Sequence, residues 1–300
     1  MMTWLIRLLA AALLVGAAVL VWLILPSRTA VELPAGVSSA APGMVERGAY
    51  VTRISGCITC HTRKGGQAFA GGRALETPFG TFHAPNITAD AETGIGQWSD
   101  EDFVRALRYG EGVRGEHLYP VFPYTSYSNM TVEDMLAIKA YLLSLPAVRH
   151  PNVPNEIRFP FSWRALMKAW KTLFFWPGLK VTMPNLTPAQ ARGSYLVTGP
   201  GHCGECHTPR GALGAMDASA FLKGNPSGPE GWAVPALVGP SKGNFSQWSV
   251  EEIETYLKSG EKPDFDSAQG PMKEVIEENT RYLTDEDRQA MSEFLKSLNQ

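Results

Sequence analysis

The hydrophobic and polar positions of this 300-residue chain separate one uninterrupted apolar run from a series of short amphipathic segments. The run covers residues 8–25, follows Arg7 and carries no charge over its 18 residues. As a helix it spans about 27 Å, close to the thickness of a bilayer core. A cleavable signal peptide has an apolar stretch of about 7–15 residues. This run is longer, and Pro26-Ser27-Arg28 is a poor cleavage site. An uncleaved membrane anchor over 1–26 is therefore expected, with Arg7 favouring an N-terminus inside. Residues 27–43, which include Pro34, Gly36, Ser38, Ser39, Pro42 and Gly43, read as a flexible tether.

Helical spacing governs the rest of the chain. The pattern predicts a short helix over 44–55. Ser99-Asp100-Glu101-Asp102 reads as the cap of a helix carrying Phe103, Ala106, Leu107 and Tyr109, which stops at Gly110. Thr131-Val132-Glu133-Asp134 caps another, with Met135, Ile138, Tyr141 and Leu142 on its apolar face. Thr284-Asp285-Glu286-Asp287 opens the last, through Met291, Phe294 and Leu295. Residues 77–86 are rich in Pro, Gly and aromatics and are expected as loop. No strand pattern of any length is present, so the fold class expected is mainly α.

These segments occur twice. Arg47-Gly48-Ala49-Tyr50 returns as Arg192-Gly193-Ser194-Tyr195, and Gln97-Trp98-Ser99 as Gln247-Trp248-Ser249. Each later helix ends in Gly-Glu, at Gly110-Glu111 and Gly260-Glu261, and Ser297-Leu298 echoes Ser144-Leu145. One helical unit has been duplicated. The expected domains are 44–150 and 187–300, joined by a linker over 151–186.

The duplication centres on Cys57-Ile58-Thr59-Cys60-His61 and Cys203-Gly204-Glu205-Cys206-His207, which use all four cysteines. C-x-x-C-H is the attachment signature of c-type haem. Two thiols about one turn apart form thioethers to the haem vinyl groups, and the next residue, His61 or His207, ligates the iron. Structural zinc motifs usually bring their Cys pairs closer together than the about 140 residues found here, and each pair carries an adjacent His that zinc does not require. A thioredoxin-like dithiol belongs beside a βαβ pattern, and none is present. Two covalently bound haem c groups are expected, on Cys57, Cys60, Cys203 and Cys206.

A Met sulfur commonly takes the position opposite the His. Met272, in Gly270-Pro271-Met272 before the last helix, is the candidate in the second domain; Met216 and Met291 are weaker alternatives. In the first domain Phe122 stands where a Met is expected, which leaves Met130, His117 or no sixth ligand.

Composition adds little. The formal net charge of −2 gives no reason to expect nucleic acid. With 29 Gly and 22 Pro the chain is loop-rich, as suits a protein in which a cofactor replaces much of the apolar core. Within 162–176, Arg164, Lys168 and Lys171 fall on one helical face and Trp163, Leu166, Met167, Trp170, Leu173 and Phe174 on the other. Two readings stand for that face: a membrane or partner surface, or packing between the domains.

The order of helix, C-x-x-C-H, loop and terminal helix resembles class I cytochromes c. The resemblance implies that first and last helices cross at Gly48 with Tyr141 and at Gly193 with Phe294. A narrower resemblance rests on Phe69-Ala70-Gly71-Gly72, Thr77-Pro78-Phe79-Gly80-Thr81, Asn86-Ile87-Thr88, residues 93–99, Leu118-Tyr119-Pro120 and residues 123–127. These are similar to the cytochrome c subunits of membrane-bound bacterial alcohol, gluconate, sorbitol and aldehyde dehydrogenases. That family implies two tandem class I domains on the periplasmic side of the inner membrane. It also implies a catalytic partner subunit carrying flavin, quinone or molybdenum, and delivery of electrons to ubiquinone or a terminal oxidase. No substrate chemistry of its own is expected. Family subunits commonly carry three haem motifs, whereas this chain has two. The alternatives are a dihaem enzyme of peroxidase or thiosulfate dehydrogenase type, and a stand-alone carrier to a terminal oxidase.

Overall fold

Two crossed helix pairs organise the chain, one in each half. The computed structural model describes residues 2–178, 185–239 and 245–299. Helix α1 (Met2–Ile24) comes first, exposed along its length with no buried residue. At 23 residues it is about 34 Å long, and it is the helix among the described residues long and apolar enough to cross a membrane.

In the first half α2 (Met44–Ile54) packs across α6 (Val132–Ser144). A Cβ at Gly48 would run into the Ala137 carbonyl and stand 2.8 Å from Tyr141 Cβ. In the second half α8 (Pro188–Thr198) crosses α12 (Asp285–Ser297), and a Cβ at Gly193 would meet the Ala290 carbonyl and stand 2.8 Å from Phe294 Cβ. Both crossings fall at the expected residues.

The intervening helices also match. α4 (Asp100–Tyr109) begins in a capping box between Ser99 and Asp102, and α10 (Val250–Ser259) in one between Ser249 and Glu252. Each ends at a glycine with positive φ, Gly110 at 59° and Gly260 at 80°, where a side chain would be strained. Thr131 and Thr284 cap α6 and α12 by accepting from Asp134 N and Asp287 N, both at 3.1 Å.

Three features correct the sequence reading. Residues 77–86 are not all loop: β1 (Ala74–Thr77) and β2 (Gly80–His83) form an antiparallel hairpin, and β3 (Glu156–Ile157) adds to β2. Strands of two to four residues are too short for a periodic signal. The tether is not free either. Thr29 donates to Glu111 through its N (2.8 Å) and Oγ1 (2.9 Å), Ser39 donates to Asp100, and Val31, Leu33, Val37 and Ala41 pack on the first core. Lys171, expected on a basic surface, is buried, its Nζ donating to the Gly110 carbonyl at 3.1 Å.

Helix α7 (Leu166–Phe174) divides its apolar residues between the two readings. Met167 and Trp170 are buried with Tyr119, Tyr124 and Phe175, and Trp170 Nε1 donates to Leu213 O across the domain boundary at 2.8 Å. Trp163, Leu173, Phe174 and Trp176 stay exposed. Lys168 Nζ donates to Trp22 O (2.7 Å) and Leu25 O (3.2 Å), which ties α7 to the foot of α1.

The halves meet through reciprocal contacts. Tyr50 OH donates to Asp287 at 2.7 Å, and Arg192 holds the same carboxylate at 2.7 and 2.8 Å. In mirror fashion Tyr195 OH donates to Asp134, which Arg47 holds at 2.6 Å.

Candidate haem-attachment sites

Each C-x-x-C-H turn follows directly on a glycine-crossed helix. Gly56, with φ of 62°, ends α2 and lets the chain re-enter helix as α3 (Cys57–His61). In the second half the turn is α9 (Gly204–His207), with Cys203 at its start. Both pairs of thiols therefore lie about one turn apart.

The histidines are oriented identically. His61 Nδ1 lies 2.7 Å from the Pro85 carbonyl oxygen and His207 Nδ1 lies 2.8 Å from that of Pro235. A carbonyl only accepts, so each Nδ1 carries the proton and each Nε2 presents a lone pair. That is the form a metal-ligating imidazole needs. Burial pushes both histidines below their ordinary pKa, which keeps them neutral.

The loops that bring these carbonyls in are built twice to one plan. Thr62 Oγ1 accepts from Phe69 N at 3.0 Å, and Thr208 Oγ1 from Leu222 N at 3.1 Å. Gly71 N donates to His61 O at 2.7 Å, and Gly224 N to His207 O at 2.8 Å. Phe69 and Leu222 take φ of 61° and 60°, a costly conformation for side chains of that size. Matched strain at matched positions indicates a shape required by the site.

The four cysteines share one environment. All four are only partly buried, yet burial pushes Cys57 and Cys203 up to about 12 and Cys206 up to about 11. Cys60 is raised too, again through burial. Among the described residues no three His, Cys, Asp or Glu are grouped to hold a metal ion. The residues present fit haem c.

The sixth-ligand candidates are distributed unevenly. Glu111 bridges to His117 as Glu261 does to Ser267, and Leu118 N and Ala268 N donate to the Gly110 and Gly260 carbonyls at 2.8 Å. This register puts Phe122 opposite Met272, in the first turn of α11 (Gly270–Glu278), where Met272 is half-buried. Met130 has Leu283 as its counterpart, is buried, and belongs to the core on which Cys57 and Phe122 pack. His117 faces Lys171, whose Nζ is 3.1 Å from its Nδ1. Met291 is core, as its helical spacing implied.

Several site residues escaped the sequence reading. Glu205, inside the second motif, is nearly buried and accepts from Thr125 and Ser126 of α5 (Tyr124–Tyr127) at 2.5 and 2.6 Å and from Arg210 at 2.5 Å. Reciprocally, α11 packs on α3, with Arg73 bonded to Glu274. Each attachment turn is thus covered by the other domain. Tyr127 adds to the seam, donating to Ser55 O at 2.6 Å and packing edge-on to His202 at 5.6 Å. The Pro85 and Pro235 carbonyls carry no side-chain signal; the repeated Thr after each His was one that spacing offered.

The class this points to is a c-type cytochrome with a duplicated C-x-x-C-H motif. Comparison with known proteins agrees: the cytochrome c family model matches residues 45–146 and 190–299, and the chain belongs to that family. It is 42% identical over 293 residues to a diheme cytochrome c-type protein of Cereibacter sphaeroides, covering 96% of this chain and 95% of the relative. It is 40% identical to the cytochrome c subunit of a quinone alcohol dehydrogenase from Komagataeibacter europaeus, covering 91% of this chain and 60% of the relative. The cytochrome c subunit of the gluconate 2-dehydrogenase of Pantoea cypripedii is 39% identical over 86% of this chain, which spans 60% of that relative.

Proposed function

We propose that the chain is a dihaem cytochrome c that carries electrons for a membrane-bound dehydrogenase. Its halves act as tandem class I domains, anchored in the cytoplasmic membrane by α1 and lying on the periplasmic side. Cys57 with Cys60, and Cys203 with Cys206, would form the thioethers, and His61 and His207 would hold the iron through Nε2. Met272 would complete one site and Met130 the other. The repeats exchange positions here: Phe122 and Met130 in the first correspond to Met272 and Leu283 in the second. Each half therefore keeps one methionine sulfur near the end of its loop. Haem c, when bound, would supply a one-electron carrier whose potential its protein ligands and its burial tune.

The observation that carries this reading is the duplicated bond from His Nδ1 to a Pro carbonyl, in turns that each pack against the opposite domain. The donor is inferred from relatives, among them cytochrome subunits of alcohol, gluconate and fructose dehydrogenases. Electrons come from a catalytic subunit with flavin, quinone or molybdenum and leave to ubiquinone or a terminal oxidase. Purification from native membranes in mild detergent, with mass spectrometry of co-eluting chains, tests this. A large catalytic subunit in the haem-containing peak is expected; the cytochrome eluting alone, or only with an oxidase, sinks the partner assignment.

A second reading, a dihaem enzyme of peroxidase or thiosulfate dehydrogenase type, draws on Phe122 alone. It needs an open sixth position on one haem. Carbon monoxide binding by the reduced protein separates the two, and none is expected.

A further inference from the structure

The two C-x-x-C-H motifs differ in charge at one position, which is Thr59 in the first and Glu205 in the second. Around that position the turns are otherwise alike. Each has an arginine on the backbone carbonyl of this residue: Arg73 Nη1 donates to Thr59 O at 2.7 Å, and Arg210 Nη2 to Glu205 O at 2.9 Å. Each arginine also holds a carboxylate. At the first turn this is Glu274, supplied by α11 of the opposite half at 2.9 Å. At the second it is Glu205 itself, at 2.5 Å.

The two ion pairs face opposite ways. The Glu274 side chain is 38% exposed and that of Arg73 24%, so the carboxylate is the outer member. At the second turn Glu205 is 9% exposed and Arg210 28%, so the carboxylate is the inner one. Water and salt screen the outer charge of a pair more than the inner. The negative charge is therefore felt most at the second turn and the positive charge at the first. Burial raises the Cys60 and Cys206 thiols; the influence next in size is the Arg73 charge, working downward, at Cys60, and the Glu205 charge, working upward, at Cys206. A buried carboxylate is costly unless its oxygens are bonded. The Thr125 and Ser126 hydroxyls of α5, in the first half, both donate to Glu205 Oε1, at 2.5 and 2.6 Å. A neutral amide oxygen would accept both bonds and join the halves as well, so the seam alone does not call for a charge here.

We infer that Glu205 lowers the reduction potential of the second haem, through a buried negative charge carried on the attachment turn itself. An anion held in a poorly screened place favours the ferric state, which is the more positive of the two. The hydroxyls that keep the carboxylate there come from α5, so the first half takes part in tuning the cofactor of the second. The inference rests on the reading that Cys203, Cys206 and His207 hold haem c.

The test is spectroelectrochemical titration of the full-length haem-loaded protein in detergent. Glu205→Gln keeps an acceptor oxygen for Thr125 and Ser126 and removes the charge. It is expected to favour reduction of one haem about tenfold, or about 59 mV for a one-electron couple, with both haems still covalently attached. Arg210→Gln leaves the carboxylate unopposed and lowers the potential of the same haem. Glu274→Gln removes the outer carboxylate and moves the other haem, by less. Opposite shifts from Glu205→Gln and Arg210→Gln mark a charge effect, because loosening the seam would move both variants in one direction. Shifts of one sign, or a potential indifferent to Glu205→Gln, overturn the proposal. If Glu205→Gln fails to keep its haem, Arg210→Gln is compared with Arg210→Lys: the glutamine alone lowers the potential, and equal potentials overturn the proposal. Loss of the haem reading itself would show differently, as a second motif without covalent haem in the intact mass of the unaltered protein.

Discussion

Single side chains set what each haem position does. On the proposed ligation Met272 and Met130 stand at different register positions of one repeated unit, so each is expected to control a different haem. Met272→Ala lowers one potential by on the order of 0.1 V, within the roughly 0.8 V range that axial ligands command, and leaves both groups covalently attached. Met130→Leu, the residue of the second repeat, lowers the other. Spectroelectrochemical titration resolves the two; potentials that stay put would reject the ligand assignment. Asp100 carries a different kind of prediction. Burial alone pushes its carboxyl up, but hydrogen bonds from Lys139 (2.6 Å) and from the Ser39 hydroxyl (2.6 Å) and amide (3.0 Å) overcome this and hold it down to about 2. A depressed folded pKa stabilises fully above the ordinary carboxylate value near 4 and is lost as pH falls toward 2. Segment 37–41 is therefore expected to lose protection in that window. Hydrogen exchange, corrected for the intrinsic rate at each pH, measures it, and protection unchanged down to pH 2 counts against the pin.

Among the elements, the two glycine crossings carry the largest consequences. Gly48→Ala pushes a methyl group into the Ala137 carbonyl, and Gly193→Ala does the same at Ala290. Backbone cannot yield as a flexible side chain does, so each is expected to cost at least the ~1–3 kcal/mol typical of overpacking. Denaturant unfolding of the haem-loaded protein gives the value, and a cost under about 0.5 kcal/mol would show that the helices part easily. These crossings were legible in the chain because the Arg-Gly-x-Tyr segments repeat and helical spacing is strong over ten or more residues. Caps were legible too, since Ser99, Thr131 and Thr284 are each followed by a carboxylate three residues later. The β1–β2 hairpin was hidden by its brevity and by Pro78. The packing of residues 27–43 was hidden by composition, because Thr29 and Ser39 bind carboxylates that are distant in sequence. The buried place of Lys171 was hidden because a helical wheel separates faces without saying which neighbour covers them.

At the scale of the whole molecule, duplication accounts for how the halves hold each other. Asp134 and Asp287 are the third helical residues after their threonine caps, and on sequence both read only as caps. In the folded protein each also accepts from the tyrosine of the opposite half, Tyr195 and Tyr50 respectively. Burial, then the Asp287 bond, pushes the Tyr50 phenol up to about 12, so it remains a donor throughout the neutral range. Tyr50→Phe leaves Asp287 still held by Arg192 and is expected to cost about 1 kcal/mol. Removing the acceptor strands both a half-buried phenol and a half-exposed arginine, so Asp287→Ala costs more, about 2 kcal/mol. Arg192 holds Asp287 and also lies over the Tyr195 ring at 5.4 Å, so the two Tyr–Asp bonds belong to one network and their single losses are expected to couple. Because each attachment turn is also covered by the opposite half, the intact protein should unfold in one transition, with both haem environments changing together. Breaking both bonds, in the double variant Tyr50→Phe with Tyr195→Phe, weakens only the seam and leaves each helix crossing whole. Two separated transitions in the haem absorbance of that variant are therefore expected. A single transition shifted by the combined cost would mean that α5 on α9 and α11 on α3 join the halves without help from the tyrosines.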